Sequence, residues 1–380
     1  MKENEKLRIA IAGGGTGGHL FPALNLGRAM EEQWNAQLLF FGAERGIEKG
    51  ILPRKGYDVI FLPVQGFKRN LSAKNLSFPF KLWRSVARAK KALKDFNPHF
   101  VLGTGGYVMG PVLWAAKQLG IPYVIQEQNS FPGLTTRLFE SHAQAVFAAY
   151  EEVKEHLSGK TPVFVTGNPI RLPKGEIDRE AAIRQFGFSP KHLTVFILGG
   201  SQGAENINRA VFTLFSKKGW HEEFQWIWQT GDAHFKKWSR KIAAVEERPL
   251  LKLIPFISNM MTAYQAADLV VCRGGAMTLS ELMVTGRAAV IVPNPYSTAN
   301  HQYKNALVLA GKGAAEVIKD DEEMPKKLAE TLHRLLQSPE KIKEMSKNMA
   351  ALNPGDSVQK ILEIIKNILH EKGVKVGNEQ

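Results

Sequence analysis

Only one cysteine, Cys272, occurs in 380 residues, which excludes an internal disulfide framework and suits a reducing compartment. No run of about 18 apolar residues occurs, so no segment is expected to span a bilayer. The opening MKENEKLRIAIAGGG passes from charged residues straight into an apolar stretch too short for a signal peptide. Acids are in deficit, 36 against 50 Lys+Arg, for a net charge of +14. That predicts an anionic partner, and composition alone does not choose between nucleic acid, nucleotide and acidic membrane surface. No Asp-x-Asp pair occurs, so a catalytic metal clamp is not indicated, and no cofactor is expected. What remains is ordinary for a globular protein: 44% hydrophobic residues and a length sufficient for two domains with separate cores.

Glycine is where the sequence becomes specific. In ADLVVCRGGAMTLSE (267–281), the run Leu269–Cys272 reads as a buried parallel strand that two glycines break open into a loop. Thr278 and Glu281 stand three apart, the spacing of a capping box at a helix start. A strand feeding a glycine loop into a helix N-terminus makes an anion or nucleotide site at the carboxyl end of a sheet. Glu281 then has two readings, a cap that accepts backbone N–H groups or a carboxylate that accepts both hydroxyls of a ribose. The same unit stands near the start, where strand-like Leu7–Ala12 runs into GGGTGGH. Gly13, Gly15 and Gly18 match G-x-G-x-x-G, yet where an NAD site needs an acid ending the second strand stand Phe41 and Gly42, with Glu44 a little late. His19 occupies the place of a P-loop lysine, which argues against ATP hydrolysis and leaves a phosphate cradle with an imidazole beside it.

Between Lys68 and Lys94 lie nine Lys/Arg and no acid. The spacing predicts a helix from near Pro79, with Leu82, Val86, Ala89 and Leu93 toward the core. Phe80, Trp83 and Ala87 fall about 120° away, among Arg84, Arg88, Lys90, Lys91 and Lys94. Aromatics rimmed by cations suit an anionic membrane interface; a solvated basic helix and a nucleic-acid groove are the alternatives. HFVLGTGGYVMGP (99–111) is a further strand and glycine loop, and IPYVIQEQN (121–129) is a strand ending in polar groups, with Glu127 and Asn129 at its carboxyl end. Those polar groups face a ligand crevice or form a capped turn.

After VFVTGNPIRLPKG (163–175), with the prolines and glycines of a linker, the pattern restarts: LTVFILGGSQGAENINRA repeats strand, glycine loop, helix. Each half carries an early and a late loop, Gly13 and Gly103, then Gly199 and Gly274. The expected fold is α/β, two Rossmann-like, doubly wound parallel-sheet domains facing a cleft. Their expected bounds are 1–168 and 169–352. A helix at 353–370 would return to the first domain, and the tail 371–380 is expected to be disordered.

In order, GGGTGGH, GTGGY, QEQN, GNPIR, GGSQGA, CRGGAMTLSE and HQYKNA resemble the MurG family, the peptidoglycan N-acetylglucosaminyltransferases of the GT-B superfamily. The resemblance covers about Leu7–Leu369. It implies inverting transfer of N-acetylglucosamine from UDP-N-acetylglucosamine to the muramyl 4-hydroxyl of lipid I, the undecaprenyl-diphosphate-linked muramyl-pentapeptide. It also implies a peripheral enzyme on the cytoplasmic face of the bacterial inner membrane, with no nucleic-acid partner. Carried over by position, the donor falls to Thr16, Gly17, Gly18, Asn129, Arg171, Ser201, Ile257, Ala276, Met277, Thr278, Leu279, Ser280, Glu281 and Gln302. The acceptor diphosphate falls to Gly14, Gly15, Gly105, Gly106 and Tyr107, and the membrane patch to Phe80, Trp83, Arg84, Arg88 and Lys91. His19 ranks first as the base because an imidazole titrates near neutral pH, and Glu127 second. The family often has His at Gln126, Ser at Met109 and Ser at Gly274. Rival readings are a GT-B-like UDP-sugar epimerase, an NAD oxidoreductase and a nucleic-acid binder.

Overall fold

The computed structural model describes residues 6–64, 78–171, 178–200, 203–215, 224–245 and 250–376. The chain forms two compact units, Met1–Arg171 with Gly355–Gln380, and Leu172–Pro354. In the first, seven strands pair in parallel: β1 (Arg8–Gly13), β2 (Gln37–Ala43), β3 (Asp58–Leu62), β4 (Phe100–Gly105), β5 (Tyr123–Glu127), β6 (Val146–Ala148) and β7 (Val163–Val165). Their order is β3-β2-β1-β4-β5-β6-β7. The central strands are apolar on both faces because helices cover both. Ile9 and Ile11 of β1 pack with the helices Gly17–Trp34 and Ser357–Glu371, whereas Ala10 and Ala12 face Phe78–Phe96 and Gly106–Leu119. That two-residue alternation is the pleat itself.

The second unit repeats the design with β8 (Thr194–Leu198), β9 (Gln225–Gln229), β10 (Leu250–Ile254), β11 (Leu269–Cys272), β12 (Ala288–Ile291) and β13 (Ala315–Val317), in the order β10-β9-β8-β11-β12-β13, again parallel. Its core is unusually aromatic: Trp226, Trp228 and Trp238 are all essentially buried, and Phe215 meets Trp226 edge-on at 5.1 Å. Both sheets reverse strand order once, between β1 and β4 and between β8 and β11. Ligands of open α/β sheets bind outside the carboxyl ends at such reversals. The four glycine loops follow β1, β4, β8 and β11, so each pair flanks its own switch point.

Two expectations are corrected. The helix after β11 starts at Ala276 with Gly275 as its extended N-cap, so Thr278 and Glu281 lie inside it and form no capping box. Gly275 and Ala276 start the helix without help, which frees the Glu281 carboxyl for another partner. The terminal segment is also more ordered than its polar composition implied. Glu371 ends the Ser357–Glu371 helix, and Val374 and Val376 then pack on the first unit's core, regaining apolar burial. Only residues 377–380 of that tail lie outside the described residues, as do the linker residues 172–177.

Candidate functional site

In the first unit, the loops after β1 and β4 interlock. A Cβ on Gly106 would lie 2.2 Å from the Gly14 carbonyl oxygen, and Gly106 holds φ at +76°, so both space and backbone conformation demand glycine. The His19 side chain lies against this junction, its Cδ2 2.6 Å from where a Cβ of Gly105 would be. Thr16 Oγ1 lies 3.0 Å from His19 Nδ1, and Thr104 donates to the His19 carbonyl at 2.9 Å. His19, Thr16, Gly105 and Gly106 are therefore brought together by the fold, though they lie on two separate strand-loop-helix units.

Two loop amides expected to meet a diphosphate are already engaged. The Gly15 N–H donates to both oxygens of Glu48, at 3.1 and 3.0 Å, and the Gly105 N–H donates to the Met109 sulfur at 3.2 Å. Met109 thereby fills, with a soft acceptor, a place where the family often has serine. Tyr107, the second residue of the next helix, is half-buried, its phenol pKa raised by burial and then by the Glu48 charge.

Glu127 is buried and saturated. Its Oε1 accepts from Asn129 N and Nδ2 (3.1 and 3.2 Å), and its Oε2 accepts from Gly133 N and Thr136 Oγ1 (3.0 and 2.6 Å). A carboxylate meeting four donors holds the loop after β5 and is poorly placed to take a substrate proton. Asn129 shares in this brace. Behind it lies a buried amide network that sequence reading missed: Gln126 donates to Asn168 at 2.9 Å, Gln128 to the Thr104 carbonyl at 2.8 Å, and Asn168 to the Gln128 carbonyl at 3.1 Å. The signal was the polar run QEQN ending an apolar strand, since buried amides require partners. Arg171 is half-exposed and paired with Glu32 at 3.2 Å.

In the second unit, Ser201 lies outside the described residues. Around its loop, Gln229 bridges two segments: its Nε2 reaches the Gly200 carbonyl at 3.4 Å, and its Oε1 accepts from the Ile257 N–H at 2.8 Å. The Ile257 amide proton is thus engaged within the protein. After β11, a Cβ on Gly274 would lie 2.4 Å from the Gln302 carbonyl oxygen, so serine would not fit without a shift. The Gln302 side-chain oxygen accepts from Asn294 N at 2.9 Å. Within Ala276–Glu281, Leu279 and Ser280 are buried, and Ser280 donates back to the Ala276 carbonyl at 3.0 Å. Met277 and Thr278 are partly exposed, and Glu281 accepts from the Tyr264 hydroxyl at 2.8 Å. Burial pushes the Glu281 carboxyl up to about 7, against the smaller, lowering effect of that hydrogen bond. A further ion pair, Arg273–Asp320 at 2.7 Å, has both side chains largely buried. Arg273 also donates to the Val292 and Pro293 carbonyls, and Asn206 donates to Asp320. It ties the carboxyl ends of β11, β12 and β13 together, and nothing in the local sequence announced it.

The helix Phe78–Phe96 buries Ala89 and Leu93 and leaves Phe80 and Trp83 59% and 67% exposed, their rings 6.2 Å apart with Arg84 over Phe80. Arg88 pairs with Glu44 and Lys91 with Asp95, both on the surface. Beside them an apolar groove of about 680 Å³ is lined by Leu82, Tyr107, Pro111, Trp114, Leu134 and Leu138. Trp114, Leu134 and Leu138 are 47%, 65% and 63% exposed, so the groove presents apolar side chains to solvent. Among the described residues, no helix is long and apolar enough to cross a membrane. Nor is any cluster of three or more His, Cys, Asp or Glu placed to hold a metal ion.

Comparison with known proteins gives a consistent result. The glycosyltransferase family 28 N-terminal domain matches residues 9–148 and the family 28 C-terminal domain matches residues 194–365. A UDP-N-acetylglucosamine–N-acetylmuramyl-(pentapeptide) pyrophosphoryl-undecaprenol N-acetylglucosamine transferase of Phocaeicola vulgatus is 42% identical, covering 95% of this chain and 96% of its own. One of the same name from Acetivibrio thermocellus is 38% identical, covering 96% and 99%. Among solved structures, MurG of Acinetobacter baumannii superposes with a TM-score of 0.75 at 28% identity, covering 95% of this chain and 99% of that one. A UDP-GlcNAc 2-epimerase of Neisseria meningitidis, at 15% identity and a TM-score of 0.63 over 96% and 100%, shares the fold alone.

Proposed function

This chain belongs to glycosyltransferase family 28, with the transferases just described, and from that premise we propose that it makes lipid II. It transfers N-acetylglucosamine from UDP-N-acetylglucosamine to the muramyl 4-hydroxyl of an undecaprenyl-diphosphate-linked muramyl-pentapeptide, releasing UDP. The observation that carries this reading is likeness at 38–42% identity across nearly the whole chain, with glycine loops at both switch points.

The acceptor oxygen forms a bond to the sugar C1 from the face opposite UDP. The C1–oxygen bond breaks with its electron pair on the β-phosphate, and C1 inverts. The hydroxyl proton goes to His19, which Thr16 holds through Nδ1. Charge on departing UDP meets backbone N–H groups at the start of Ala276–Thr285 and Glu205–Phe215. Arg171 adds its guanidinium on leaving its half-exposed Glu32 partner, since such surface pairs are weak. Glu281 takes the ribose hydroxyls, and Gln302 and Asn129 take the sugar hydroxyls. Phe80, Trp83 and the groove beside them meet the headgroup layer of the inner membrane's cytoplasmic face, with Arg84, Arg88 and Lys91 on anionic lipid. The product feeds cell-wall synthesis, and through it cell shape and division. The test is UDP release from UDP-N-acetylglucosamine with and without a water-soluble lipid I analogue. Release only with the analogue is expected; release without it, or an epimerised sugar, would favour the epimerase reading.

A further inference from the structure

Glu48 is completely buried, and among the described residues no cation pairs with it. Its hydrogen-bond partners are backbone: Ala43 N at 2.7 Å and Gly15 N at 3.1 and 3.0 Å. Three glycines leave room for it: Gly14 in the first loop, Gly42 near the end of β2 and Gly46 just beyond that strand. A Cβ on Gly14, Gly42 or Gly46 would lie 2.4, 2.6 or 2.1 Å from Glu48 side-chain atoms. A carboxylate enclosed in this way is expensive to desolvate unless backbone dipoles hold it, and here they do.

The consequence reaches the site through short steps. Glu48 draws the Gly15 N–H inward, and Gly15 adopts φ +88°. Its neighbour Gly14 then presents its carbonyl to Gly106, and His19 lies against Gly105 and Gly106. The Tyr107 ring closes over Gly15, 2.7 Å from where its Cβ would be. We propose that Glu48 is a positioning residue for the acceptor half of the reaction: its carboxylate fixes the first glycine loop and, through it, the second loop and His19. It touches neither substrate. It also withdraws one amide from the ligand, so an acceptor diphosphate must be read by the remaining N–H groups of the two loops. This inference rests on the proposed transferase reading only for the identity of the acceptor.

The test uses the full chain and Glu48→Gln, which keeps shape but sets an amide N–H₂ against one of the N–H groups that the carboxylate accepts. Loss of about 10–100-fold in kcat/KM for a soluble lipid I analogue is expected, the size a displaced catalytic geometry produces. KM for UDP-N-acetylglucosamine should stay within about twofold, a split that a general loss of structure would not give. In Glu48→Ala, formate or acetate should restore part of the lost turnover by refilling the carboxylate's place. Amide hydrogen exchange reads the same geometry without turnover, and faster exchange confined to residues 13–19 and 104–107 is expected in Glu48→Gln. Unchanged exchange there, unchanged acceptor kinetics, or a matching rise in both KM values would overturn the proposal. A wild-type protein that releases no UDP with the analogue would instead overturn the transferase reading, and the exchange experiment would still decide the role of Glu48.

Discussion

Glu281 offers the sharpest quantitative expectation, because its carboxyl is raised from an ordinary 4.5 to about 7 by burial, with Tyr264 as its hydrogen-bond donor. Ribose hydroxyls that both donate to Glu281 select the ionised form. In the ligand-free protein at pH 6, only about one Glu281 in eleven is ionised, whereas at pH 8 about ten in eleven are, taking the pKa as about 7. Apparent UDP affinity should therefore be about tenfold weaker at pH 6 than at pH 8, with protons released on binding near neutrality. Folding shows the opposite sign. The folded pKa lies above the unfolded one, so ionisation penalises the native state progressively as pH rises from about 4.5 to 7. The penalty approaches about 3 kcal/mol above pH 7, from a rise of about 2.5 in pKa at about 1.4 kcal/mol each. Glu281→Gln should thus gain stability relative to wild type on going from pH 5 to pH 8, while its UDP affinity should be weak and flat with pH. Isothermal titration at pH 6, 7 and 8, with denaturant unfolding of both proteins at pH 5 and 8, measures both halves. Equal pH dependence of UDP binding in wild type and Glu281→Gln would refute the assignment of the ribose to this carboxyl.

His19→Ala should lower turnover by about 10²–10⁴-fold with UDP affinity nearly intact, measured by steady-state kinetics and calorimetry; near-normal turnover would remove His19 as the base. Glu127→Gln should act mainly on stability, since the side chain braces Gly133 and Thr136; a purely kinetic defect in a fully stable variant would contradict that. Asp320→Ala strands the buried Arg273 guanidinium and should cost about 3–5 kcal/mol in denaturant unfolding, and a loss under 1 kcal/mol would show the pair to be solvated. Phe80→Ser with Trp83→Ser should abolish sedimentation with anionic vesicles while sparing turnover of a short-chain, soluble lipid I analogue. Wild-type binding should fall as salt rises. Unchanged vesicle binding by the double variant would place any membrane contact elsewhere.

The sequence by itself determined whatever depends on neighbours along the chain. An apolar run ending in glycines is a strand feeding a loop wherever it occurs, so β1, β4, β8 and β11 and their loops were legible, as was the duplication that makes two parallel sheets. Helical spacing placed Ala89 and Leu93 inside and Phe80 and Trp83 outside for the same reason, since a helix face is fixed by about 100° per residue. Tertiary structure alone decided which polar groups of those loops remain open to a ligand. Glu48 takes the Gly15 amide from 33 residues away, Gln229 takes the Ile257 amide from 28, and Tyr264 reaches Glu281 from 17. The capping spacing of Thr278 and Glu281 misled because a helix start is settled by the backbone at Gly275, whereas the carboxyl's partner is settled by packing. A hydrogen bond needs its two atoms within about 3 Å, and distance in space between remote segments is not written in the spacing of either one.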